Sequence, residues 1–119
     1  MPATGLRAIA VARDLMFVGR IVAEARAAGV PLTVVRDPAK LEATMAAGLL
    51  IVDLNLDGAL DAATSWRQID PAGREVVCFV AHTDAVTINR ARAAGLNRVM
   101  ARSAFVVALP DLLQRLRAS

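Results

Sequence analysis

The sequence predicts an α/β domain built on a parallel sheet with helices on both faces. Three observations carry that reading. Short apolar runs of strand length alternate along the chain with segments of helical periodicity. The runs are continuously apolar rather than alternating, as in strands buried on both faces. Polar caps, prolines and glycines fall between them, where elements should begin and end.

The first run, Leu6–Ala12 (LRAIAVA), is followed by Arg13 and Asp14. Asp14 is a suitable cap for a helix around Met16–Ala28, where Phe17, Ile21, Val22 and Ala25 recur at helical spacing and Gly29 supplies the stop. Leu32–Val35 is the second strand. Asp37-Pro38 then opens an expected helix over Ala39–Ala47, ended by Gly48. The third strand, Leu49–Val52, leads through Asp53 to a helix near Leu60–Gln68. Asp70-Pro71-Ala72-Gly73 is turn punctuation before the fourth strand, Glu75–Val80. A helix over Ala85–Ala94 stops at Gly95, and Arg98–Ala101 is the fifth strand. Ser103–Ala118 reads as helical, with Pro110 marking a kink or a fresh start. Five β/α units in one domain, residues 1–119, are therefore expected.

Composition narrows the function classes. The chain of 119 residues is 56% hydrophobic, which excludes long disordered stretches. No apolar run approaches the ~20 residues of a membrane span. The N-terminal residues lack the features of a signal peptide, so a cytoplasmic location is expected. The single Cys78 lies in the apolar run VVCFVA and reads as a buried small hydrophobe. One cysteine and one histidine, His82, cannot build a His/Cys metal cage. Asp57 reads as a turn residue, His82 as an exposed loop residue and Trp66 as a packing residue. No GxSxG, phosphate-cradling glycine loop or Cys/His pair is present, which argues against an enzyme.

Charge is uneven. Thirteen arginines and Lys40 face eleven acids, for a net charge of +3, and residues 85–119 hold six arginines against Asp111 alone. Such a region suits an acidic partner. Nucleic acid is the poorer candidate, because aromatic residues for stacking on bases are nearly absent.

Three strand ends carry charged side chains toward one edge: Arg13 and Asp14, then Asp53, then Arg102. Chemistry in open α/β sheets gathers just past the carboxyl ends of the strands. With VARDLMFVGRIV, IVDLNLDG, AHTD and ARS at the corresponding places, the whole chain resembles the receiver domains of response regulators (CheY-like). The resemblance implies a (βα)5 flavodoxin-like fold with a five-stranded parallel sheet in the order 2-1-3-4-5. It also implies a phosphoacceptor at Asp53, an acidic-pocket carboxylate at Asp14, and Mg2+ held by Asp14, Asp53 and the Asn55 carbonyl if metal binding is retained.

Other family positions depart from the pattern. Arg13 stands at the first acidic position, Val80 where a Ser/Thr hydroxyl is usual, Arg102 for the lysine and Ser103 for the following proline. Val99 lies at the switch-aromatic position. A guanidinium within ~4 Å of the acidic cluster is worth on the order of a kcal/mol in a partly wet site and opposes a dication. One of the two, Arg13 or Arg102, is expected to pair with Asp53 in place of Mg2+, and no other cofactor is expected.

The reading that follows is an atypical, stand-alone receiver acting as a protein-interaction module in two-component signalling, without conventional phosphorylation. Its partner face is expected on the fourth helix, fifth strand and last helix, around Arg90, Arg92, Arg98, Arg115 and Arg117, with a homodimer as one form. The alternatives are a Mg2+-dependent phosphoacceptor using Asp53 and a nucleic-acid-binding module using the basic C-terminal helices.

Overall fold

A computed structural model describes residues 7–81, 84–96 and 98–118. Its elements in chain order are β1 (Ala8–Val11), α1 (Leu15–Ala28), β2 (Leu32–Val35), β3 (Leu49–Asp53), α2 (Ala59–Gln68), β4 (Glu75–Val80), α3 (Ala85–Ala93), β5 (Val99–Ala101) and α4 (Arg102–Ala118). The five strands form one parallel sheet in the order β2-β1-β3-β4-β5. This is the flavodoxin-like order expected from the sequence.

Side chains alternate across the sheet and divide the core into two halves. Ala8, Ala10, Leu49, Ile51, Val77 and Phe79 pack against Ile21 and Ala25 of α1 and Phe105, Leu109 and Leu113 of α4. Ile9, Val11, Leu50, Val52, Cys78 and Val80 face the other way, onto Ala63 and Trp66 of α2 and Ala91 of α3. β1 and β3 are buried at every position, which is why their sequences are apolar without alternation.

The helix boundaries follow local chemistry. Asp14 caps α1, its Oδ1 accepting from the backbone N–H groups of Met16 (3.0 Å) and Phe17 (3.2 Å). Gly29 closes the helix in the left-handed conformation, φ 70°. α4 begins at Arg102, one residue earlier than its sequence pattern suggests, and runs through Pro110 without a break. Phe105, Leu109, Leu112 and Leu113 hold both halves of it on the core. Pro110 faces solvent, where a missing backbone hydrogen bond costs least.

One expected element is absent. Residues 39–47 do not form a helix: Pro38–Lys40 make a single 3-10 turn, ended by an extended Leu41, and irregular chain continues to β3. Among the described residues four helices, not five, cover the sheet. The Asp37 cap forms, donating nothing and accepting from Ala39 N–H at 3.0 Å, but it starts no helix. Leu41 and Ala47 are both buried.

Side chains from elsewhere supply what a helix would have supplied internally. Trp66 Nε1–H donates to the Met45 carbonyl at 2.7 Å, and Arg74 Nη1–H donates to the Ala43 carbonyl at 2.6 Å and the Trp66 carbonyl at 2.9 Å. The Arg74 guanidinium also stacks over the Trp66 ring, 4.7 Å from its centroid. A nine-residue helix has little stability of its own. These tertiary bonds favour the irregular path.

Trp66→Phe removes the indole donor and leaves a void under this segment. The expected loss is about 2–4 kcal/mol in denaturant unfolding, with amide exchange rising first over residues 41–48.

Candidate functional site

The carboxyl ends of β1, β3 and β5 deliver Asp14, Asp53 and Arg102 to one edge of the sheet. Asp53 is the last residue of β3, paired in register with Phe79, and is the one buried charged residue among the described residues, 4% exposed. Its Oδ1 accepts from Asn55 N–H at 2.9 Å, closing an Asx turn past the strand. Its Oδ2 accepts from Arg102 Nη2 at 3.3 Å. Arg102 Nη1 lies 3.6 Å from Asp14 Oδ2, an ion pair rather than a hydrogen bond. A single guanidinium therefore spans both carboxylates.

The chain's three phenylalanines form the floor beneath that guanidinium. Phe17, Phe79 and Phe105 have ring centroids 4.5, 4.9 and 5.7 Å apart. Arg102 lies 4.9 Å above the Phe17 centroid and 5.7 Å from that of Phe79. The aromatic faces attract the cation, while the rings offer Nε–H no acceptor, and Nε is buried without a partner.

Arg13 is engaged elsewhere. Its Nε donates to the Arg36 carbonyl at 3.2 Å, and Arg36 Nη2 donates back to the Arg13 carbonyl at 3.3 Å. This reciprocal pair laces the ends of β1 and β2. Among the described residues Arg13 makes no ion pair with Asp14 or Asp53.

The remaining sequence candidates are placed as follows. Val80 is fully buried among Val52, Leu54 and Ala59, and presents no hydroxyl. Ser103 is exposed in the first turn of α4, and Val99 is half-buried in edge strand β5. Asn55 does more than carry a backbone carbonyl: its side-chain Oδ1 accepts from Ala81 N–H at 2.7 Å, tying the end of β3 to the end of β4. Asp57 lies in the exposed β3–α2 turn. Asp84 caps α3, and bonds from the Thr87 hydroxyl and N–H hold its carboxyl below the ordinary range. His82 lies outside the described residues.

The arginine-rich C-terminal region is partly absorbed by the fold. Arg98 and Arg115 both reach Glu75, and Arg117 Nη1 donates to the Ala28 carbonyl at the end of α1, 3.1 Å away. Arg90 and Arg92 remain exposed on α3.

No family model matches the chain, and no curated protein matches it significantly in sequence. Solved structures do. A response regulator receiver domain from Rhodospirillum rubrum superposes with a TM-score of 0.69 at 21% identity, over 95% of this chain and 94% of that one. The orphan response regulator HP1043 of H. pylori gives 0.74 at 16% identity, over 98% of each chain. The receiver domain of Ssk1 from Saccharomyces cerevisiae, solved with the histidine phosphotransfer protein Ypd1, gives 0.75 at 13%, over 93% of this chain and 88% of that one. The chain has the receiver fold.

Receiver chemistry implies Mg2+ at this edge, and the donor set here does not suit it. Asp14 Oδ1 is committed to the α1 cap and Asp53 Oδ1 to Asn55, while both Oδ2 atoms face Arg102. The first acidic position of the receiver pattern holds Arg13. Among the described residues no group of three or more His, Cys, Asp or Glu could hold a metal ion. A guanidinium supplies the positive charge between the carboxylates.

Arg102→Met leaves Asp53 buried beside apolar rings and is expected to cost about 1–3 kcal/mol. Asp53→Asn in that background should recover a large part of the loss, giving a coupling of about 1 kcal/mol or more in a double-mutant cycle. Additive effects would mean that the pair contributes nothing.

Burial in β4 pushes the Cys78 thiol from 9.0 up to about 12. The unfolded chain ionises first, so the thiol's contribution is intact below about pH 9 and falls as pH rises from there toward about 12. Thiol-reagent modification at pH 8 is expected to proceed only at the rate of unfolding, and to equal the free-cysteine rate in denaturant.

Proposed function

We propose that this receiver acts as an interaction module in two-component-type signalling, with Arg102 standing permanently where receivers bring a metal and a phosphoryl group together. The observation that carries this reading is the guanidinium bridge from Arg102 to Asp53 and Asp14, 3.3 and 3.6 Å. Asp53 then serves as the anionic anchor of a fixed ion-pair network rather than as a phosphoacceptor. Val80 strengthens the reading, since it lacks the hydroxyl that would bond a transferred phosphoryl group.

A module of this kind passes its signal by contact. The yeast receiver of the same fold was solved in complex with a histidine phosphotransfer signalling protein. In this chain the α3–β5–α4 face offers the partner exposed Arg90 and Arg92, with Val86 on α3 and Val107 on α4, 69% and 81% exposed. Cationic and apolar groups together suit an acidic protein partner or a second copy of the chain.

The test is an amide NMR titration with Mg2+ and then beryllofluoride, with Asp53→Asn as control. The wild-type spectrum is expected to ignore both additions. Arg13→Asp/Arg102→Lys, which restores an acidic pair and a mobile ammonium, is expected to gain a saturable Mg2+ response near Asp53. Saturable wild-type shifts around Asp53 and Arg102 that vanish in Asp53→Asn would instead establish a phosphoacceptor and end the proposal.

A further inference from the structure

The opposite edge of the sheet holds a cleft of about 540 Å³, a volume ordinary for a small-molecule site. It opens at the amino ends of β4 and β5, beside Gly48. Gly48 precedes Asp53 by five residues of extended chain, so the two sites lie roughly 16 Å apart along the sheet. Four arginines line it, Arg67, Arg74, Arg98 and Arg115, and Glu75 is the one acidic residue in the lining.

The arginines come from four separate elements: the end of α2, the turn before β4, the residue before β5, and α4. They surround the cleft instead of forming one solvated row. Arg98 Nη1 and Arg115 Nη2 converge on the same oxygen, Glu75 Oε2. Arg74 is held in place by two carbonyls and the face of Trp66. Arg67 is half-buried, with Nη1 beside Gly95, and no carboxylate among the described residues pairs with it. Asp70 lies against Gly73 in the wall of the cleft, its Oδ1 accepting from the Gly73 N–H at 3.1 Å.

We infer that this cleft binds a small anion carrying adjacent phosphoryl groups, of the nucleoside diphosphate class. Planar guanidinium forks match phosphoryl oxygens, and arginines reaching the cleft from four separate elements offer more N–H donors than one phosphoryl group can take. The cleft is concave and bounded by helix ends, which suits a small ligand better than a polymer. This inference is independent of how the Asp53 edge functions.

Trp66 is the only tryptophan and lies under Arg74, so its fluorescence reports on the cleft. The full chain is titrated with ADP, inorganic pyrophosphate and AMP, following Trp66 emission and the amide signals of Gly73–Val76 and Leu96. ADP and pyrophosphate are expected to saturate with Kd below about 1 mM, and AMP to bind about fivefold or more weakly. ADP binding more tightly than pyrophosphate assigns the nucleoside a contact, and equal affinities assign recognition to the diphosphate alone. Arg67→Gln/Arg115→Gln should weaken ADP about tenfold. Glu75→Gln, which removes the competing carboxylate, should tighten it about threefold, and it carries the test alone should the double variant fail to fold. Shifts that stay linear with ligand, that centre on Arg90 and Arg92, or that Glu75→Gln leaves unchanged or weakened overturn the inference.

Discussion

A parallel sheet buries both of its faces, and everything else in this chain answers to that requirement. Two helices, α1 and α4, cover one face, bringing Phe17, Phe105 and a run of leucines onto Phe79 of β4. The other face has α2 and α3 and an irregular segment in place of a further helix. Trp66 makes this sufficient. Its ring fills the volume, its indole N–H satisfies one carbonyl of the segment, and Arg74 on its face satisfies another. The segment keeps its backbone bonded without being regular.

The same economy operates at the carboxyl edge. A buried carboxylate needs a compensating charge and filled hydrogen-bonding positions. Asp53 obtains both from its own chain: the Asn55 N–H on one oxygen and the Arg102 guanidinium on the other. Arg102 in turn rests on the rings of Phe17 and Phe79, which belong to α1 and β4. Core packing and site electrostatics thus share residues, and the cation is positioned by hydrophobic contacts as much as by the anions it faces.

The strands and four of the five expected helices were legible in the sequence, because continuous apolar runs and polar caps are local signals, while the sheet order came with the resemblance to receiver domains. Residues 39–47 misled because they carry a proper cap, Asp37-Pro38, and a closing Gly48, while the groups that override the helix, Trp66 and Arg74, lie 21 and 31 residues from the carbonyls they bond. Asp14, Asp53 and Arg102 could be placed at one edge from strand ends alone. Which arginine reaches Asp53 could not, since Arg13 is nearer in the pattern but finds the Arg36 carbonyl first. The Asn55 strap to Ala81 had a faint signal, an Asx residue just past a strand end. The phenylalanine floor had none, as its members stand on three different elements.

The direct passage of β5 into α4 at Arg102 makes the site's cation the first residue of the longest helix. No loop stands between them to take up movement. α4 is a stiff rod spanning roughly 24 Å from Arg102 to Ala118 at 1.5 Å per residue, and its far end is bolted to the close of α1 through Arg117 and Ala28. The start of α1 is joined to the same cation through Asp14. The two helices, the Arg102–Asp14 ion pair and the Arg117–Ala28 hydrogen bond close a frame across one face of the sheet, so neither helix can slide along its axis without stretching one of the two contacts.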